Sequence, residues 1–207
     1  MYQVKNKSYA LIAVIYFIFY MFSFLLMGVL FKNNVSWYYL IYWFLFAVAI
    51  VIVLFKDKKV ENLGITKDNL FKNTMISISI IVVSFIIGIF ISDLSITKIL
   101  KALLYFLFYV SMVEEVVFRG FIQNYLFGLK INKKLIFIIG GIFFSLIHLP
   151  FQMYVNNMVS INYILTALPQ LIFTFIFHFI MCYITYKRKD ITIPIALHFA
   201  LDFLQHI

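Results

Sequence analysis

Glu114 and Glu115 stand side by side in an otherwise apolar stretch, and Arg119 follows the second glutamate by four residues. Downstream, Phe144 and His148 are four apart, and so are His198 and Asp202. Carboxylates and imidazoles are the side chains that most often give and take protons in catalysis. The spacing divides them into roles. On a helix, Glu115 and Arg119 share a face and form an ion pair. Glu114 is rotated about 100° from its neighbour on a helix of 3.6 residues per turn. It is therefore left without that partner, and an unpaired carboxylate in a low-dielectric site suits a general base or acid. Asp202 is spaced to orient the His198 ring and fix its tautomer. Burying such groups in lipid costs at least about 2.5–3.5 kcal/mol each on insertion scales, so a helix that only anchored the chain would not carry them.

The elements that must position these groups are membrane helices. The 207-residue chain is 65% hydrophobic and 12% charged, with a mean hydropathy of +1.04, against about 45–50% and about 25% in soluble domains. This predicts an all-α, polytopic bundle of about seven transmembrane helices forming one membrane domain over 1–207. The expected spans are 9–31, 37–55, 74–94, 99–129, 134–149, 161–186 and 191–207, with the glutamates in the fourth. The fourth and sixth are long enough to tilt or break. The first three, within 1–98, read as accessory helices, and the polar clusters all fall in 99–207.

The net charge of +9 does not indicate nucleic acid, because the basic residues lie between the apolar runs. With the amino terminus cytoplasmic, that side receives Lys5 and Lys7, then Lys56, Lys58, Lys59, Lys67 and Lys72, then Lys130, Lys133 and Lys134, then Lys187, Arg188 and Lys189. The other side takes Lys32, Lys98 and Lys101, the asymmetry expected of positive-inside topology. A single cysteine, Cys182, excludes an intramolecular disulfide framework or a multi-cysteine metal site. The first apolar run is too long for a signal-peptide core and lacks a cleavage site, so it reads as a retained helix. The segment 56–73 reads as a short turn or surface helix, and 150–160 as an outer loop after Pro150 ends the fifth helix. His178 has no carboxylate within four residues and reads as structural. His206 is expected at the membrane interface.

Taken together, Glu114-Glu115-Val116-Val117-Phe118-Arg119, Phe144 through His148 and His198 through Asp202 fit Glu-Glu-x-x-x-Arg, Phe-x-x-x-His and His-x-x-x-Asn/Asp. Three such motifs in this order resemble the CAAX prenyl protease and bacteriocin-processing family (Abi, or CPBP) of intramembrane endopeptidases. The resemblance makes 99–207 the catalytic core. It implies a glutamate-dependent peptidase in which Glu114 and His148 activate water, while His198 and Asp202 stabilise the oxyanion. Glu115, Arg119 and Phe144 carry over as supporting residues. Eukaryotic prenyl proteases carry Asn where this chain has Asp202; an ionised Asp cannot donate to an oxyanion, and must be protonated or serve by orienting His198. No cofactor is implied. Zinc held by Glu114, His148 and His198 from three helices is the alternative, although the His-Glu-x-x-His helix of zinc proteases is absent.

The partners implied are the lipid bilayer and a peptide or membrane-protein substrate, in the cell membrane of a bacterium; the richness in Ile, Lys, Asn, Phe and Tyr looks like an AT-rich genome. Bacterial members of this size resemble bacteriocin self-immunity proteins and peptide processors. Two other classes stay open. One is a non-proteolytic immunity or scaffold protein. The other is a proton-coupled transporter, which also gathers intramembrane Glu, Asp and His but uses paired broken helices that are not evident here.

Overall fold

The computed structural model describes residues 2–3, 5–66 and 69–207; of the basic residues read above, Lys67 lies outside this set. Seven helices account for nearly all of it: α1 (Lys7–Lys32), α2 (Leu40–Asp57), α3 (Leu70–Ile91), α4 (Ile96–Leu129), α5 (Lys133–Val155), α6 (Ile161–Arg188) and α7 (Thr192–His206). No strand occurs among the described residues. In hydrocarbon a backbone must satisfy its own N–H and C=O groups, which leaves the helix as the only form for such runs. The helices start and stop where the chain turns polar. Asn6 caps α1 by accepting from the Ser8 amide. Lys58 and Lys189 end α2 and α6 in the left-handed conformation, and Lys130 does the same for α4.

Helices α1 to α6 are each long and apolar enough to cross a bilayer. Helix α7, the seventh expected span, has only 15 residues, which is about 22 Å at 1.5 Å per residue against a hydrocarbon core of about 30 Å. It compensates by packing lengthwise on α3. Phe199 and Phe203 are buried there, and Gly88 of α3 leaves room for the Phe203 ring.

Helix α4 is the central element. Its second half, from Glu115 to Gly128, is buried on every side. It runs unbroken, as one of the two forms expected of a long fourth span, but Tyr105–Ser111 and Glu115–Ile122 are π-helical. Such wide turns are rare and concentrate at functional sites. The fifth span differs from expectation. Pro150 does not end it: the axis bends at Ile147, a new helical turn starts at His148, and the helix runs on to Val155. Proline is tolerated because it falls in the first turn after the bend, where its missing N–H has no partner to lose. The outer loop is thus confined to 156–160.

The basic loops gather at one end of the bundle. Lys5 lies 3.7 Å from Asp57 at the close of α2 and over the rings of Tyr9 and Tyr125; burial holds its ammonium below the ordinary lysine pKa, against the opposing pull of Asp57. The Thr66 hydroxyl donates to the Lys189 carbonyl, and the Ile191 amide to the Gly64 carbonyl. The Asn124 amide donates to the Asn62 carbonyl, and the Tyr2 amide and hydroxyl donate to Asn124 Oδ1 and the Arg119 carbonyl. The 3₁₀ turn Val60–Leu63 is thereby pressed onto α4 at Gly120, where an added Cβ would run into the Leu63 carbonyl. Gly120→Ala is expected to destabilise the bundle by about 1–3 kcal/mol, the usual cost of overpacking, measured as a lowered denaturation midpoint in detergent.

Candidate active site

The site begins with a buried chain of charge. Glu115 and Arg119 are fully buried, and Arg119 Nη1 lies 3.1 Å from Glu115 Oε1. The guanidinium sits 4.0 Å over the Phe144 ring and 5.5 Å from that of Phe177, so aromatic faces take the place of water around it. Glu115 Oε1 also meets His198 Nδ1 at 2.8 Å. The expected ion pair is therefore one of two links in a three-residue chain, and the second link, Glu115 to His198, joins α4 to α7. A carboxylate oxygen can only accept, so Nδ1 of His198 carries the hydrogen. Nε2 of the same ring then faces two more acceptors, Glu114 Oε2 at 3.8 Å and Asp202 Oδ2 at 3.4 Å, and a hydrogen on it as well makes the ring an imidazolium.

A cavity of about 850 Å³ opens beside this chain. Its lining comes from four helices: Tyr105, Phe106, Val110 and Glu114 of α4, Phe144 and His148 of α5, Gln170, Phe173, Thr174 and Phe177 of α6, and His198, Leu201, Asp202 and His206 of α7. Glu114, His148, His198 and Asp202, widely separated in the chain, thus share one space. His148 is held from behind, its Nδ1 lying 3.0 Å from the Phe144 carbonyl and 3.3 Å from that of Ser145. Those carbonyls require a hydrogen on Nδ1, which leaves the Nε2 lone pair as an acceptor. Phe144 contributes both that carbonyl and the ring under Arg119.

The remaining two histidines take different positions. His178 is fully buried, with Nε2 3.0 Å from Gln123 Oε1 and 3.1 Å from Cys182 Sγ. This is the packing role its isolation in the sequence suggested. His206 lines the cavity mouth, its ring stacked on Phe106 at 5.1 Å, a position that its place near the chain end did not reveal. Tyr42 of α2 was not singled out either. Its hydroxyl donates to Glu114 Oε1 at 3.1 Å. In sequence it is one of 14 tyrosines, in a membrane chain where aromatics are ordinary, so composition carried no signal for it.

Among the described residues no group of three His, Cys, Asp or Glu side chains is placed to hold a metal ion. His148, His198 and His206 have all committed Nδ1 to protein oxygens, leaving each at most Nε2 to offer.

Arg119→Met is expected to cost about 3–5 kcal/mol, because it leaves Glu115 buried without its cation. Adding Glu115→Gln should recover part of that loss. Denaturant titration of the single and double variants in micelles measures both.

Comparison with known proteins bears on the family of the chain. Neither a curated protein nor a solved structure matches the chain. The family model described as type II CAAX prenyl endopeptidase Rce1-like matches residues 95–204, a segment that contains all three motifs and the cavity lining from Tyr105 to Asp202. The chain belongs to the Rce1-like family of CAAX endopeptidases, and it is a membrane-embedded peptidase.

Proposed function

We propose that the chain hydrolyses a peptide bond of a membrane-delivered substrate with a water activated by Glu114 and His148. The observation that carries this reading is that Glu114 and the free Nε2 of His148 offer two acceptors to one cavity, while Nε2 of His198, a donor when carboxylates at both nitrogens hold the ring as an imidazolium, faces the same space. A water that donates one hydrogen to Glu114 Oε2 and the other to His148 Nε2 keeps its lone pairs free for the carbonyl carbon of the substrate. As the oxygen–carbon bond forms, one water proton passes to Glu114 and the carbonyl oxygen becomes an oxyanion. Nε2–H of His198 is the donor available to that oxyanion. Collapse of the tetrahedral intermediate breaks the carbon–nitrogen bond, and Glu114 returns its proton to the leaving amine.

In this reading Asp202 acts as an acceptor: it steers the Nε2–H of His198 and makes no bond to the oxyanion. That removes the objection to an aspartate at a position where Asn occurs in eukaryotic relatives. Glu115 and Arg119 hold the His198 ring, and no step is assigned to a metal. The setting we infer is a bacterial cell membrane with the amino terminus and the basic end of the bundle cytoplasmic. The role is peptide processing or bacteriocin self-immunity, with any protection dependent on proteolysis.

Glu114→Gln keeps size and hydrogen bonding but removes the base, and should lower turnover by about 10²–10⁴-fold. Comparing the membrane and secreted peptidomes of wild-type and Glu114→Gln strains identifies the peptides that depend on it. A correctly inserted variant with an unchanged peptidome, or with full protection in an immunity assay, would contradict the proteolytic reading. On peptides so identified, Asp202→Asn should retain most of the activity, since Asn still offers an acceptor to His198. Loss of that activity to a strong chelator, reversed by zinc, would instead support the metal alternative at Glu114, His148 and His198.

A further inference from the structure

Helix α2 lies outside the segment that matches the family model, yet it touches the candidate base. Tyr42 is 4% exposed and does not line the cavity; its hydroxyl reaches Glu114 Oε1 from behind, at 3.1 Å. The ring is braced by Tyr109 of α4 at 4.9 Å and Phe24 of α1 at 5.9 Å, so the hydroxyl has little freedom to turn away. Glu114 has two oxygens, and the contacts divide them: Oε1 accepts from Tyr42, while Oε2 is the one near His198. We propose that Tyr42 is a positioning residue for the reaction, holding Glu114 Oε1 so that Oε2 alone is presented to water and substrate. The inference rests on Glu114 being the base, and it makes α2, with α1 behind it, part of the active site's construction.

The alternative is that Tyr42 is one more buried aromatic of a greasy bundle. Tyr16 supplies the control. It is equally buried in the same aromatic group, and its hydroxyl donates to the Leu45 carbonyl of α2 at 2.8 Å. Removing that oxygen takes away a buried bond to α2 but none to Glu114.

Two measurements on the full chain in detergent decide the matter. In a stability cycle of Tyr42→Phe, Glu114→Met and the double variant, a bond to a charged oxygen should appear as a coupling of about tenfold in the unfolding equilibrium constant. Strict additivity would overturn the contact. On peptides whose processing Glu114→Gln abolishes, Tyr42→Phe should lower kcat about tenfold with KM within about twofold, while Tyr16→Phe leaves both unchanged. Equal losses in the two Phe variants, or a change in KM alone, would overturn positioning in favour of packing. If Glu114→Gln abolishes the processing of no peptide, the base reading fails and this proposal with it; the stability cycle still reports separately whether the contact exists.

Discussion

The bundle depends on one buried chain of charge, Arg119 to Glu115 to His198, closed over by the rings of Phe144 and Phe177. A guanidinium and a carboxylate in a dry interior are stable only together, because the loss of hydration is repaid by their mutual attraction and by correct geometry. Here that requirement is also an assembly rule. Glu115 and Arg119 belong to α4, His198 to α7, Phe144 to α5 and Phe177 to α6, so the charges are satisfied only when four helices meet in one arrangement. Apolar packing alone would specify that arrangement poorly among helices that are greasy all round.

The same chain orders the chemistry beside it. Glu115 accepts from Nδ1 of His198 and the Phe144 carbonyl from Nδ1 of His148, so each ring turns Nε2 toward the cavity. His148 has only carbonyls at Nδ1 and presents a lone pair there, whereas His198, with carboxylates at both nitrogens, presents a hydrogen as an imidazolium. The wide turns of α4 keep the adjacent glutamates in different surroundings, one packed in protein and the other at the cavity wall.

Much of this was legible in the sequence, for physical reasons. Charge is so costly in hydrocarbon that Glu114, Glu115, Arg119, His148, His198 and Asp202 stood out against their background, and helical spacing alone paired Glu115 with Arg119. What stayed hidden has equally physical causes. The link from Glu115 to His198 spans 83 positions and follows no local period. Tyr42 has the composition of any membrane aromatic. Pro150 reads as a helix terminator unless the bend at Ile147 is known, since a proline in a first turn and one past a last turn look alike in a string of letters. The π-helical turns leave no mark in residue types, and the brevity of α7 shows only once its packing on α3 is seen.

The burial of Tyr2 bears on how such a molecule is made. Its amide and hydroxyl are bonded to residues 122 and 117 positions further on, and its hydroxyl also lies 3.8 Å from Cys182 Sγ, 180 positions away. Tyr2 is translated before α1, but those two partners exist only once α4 has been made, and the thiol only once α6 has. Three helices therefore precede either bond, and that end of the bundle is still open as they enter the bilayer. The polar seal there is then closed across a loop whose closure entropy grows only slowly with its length.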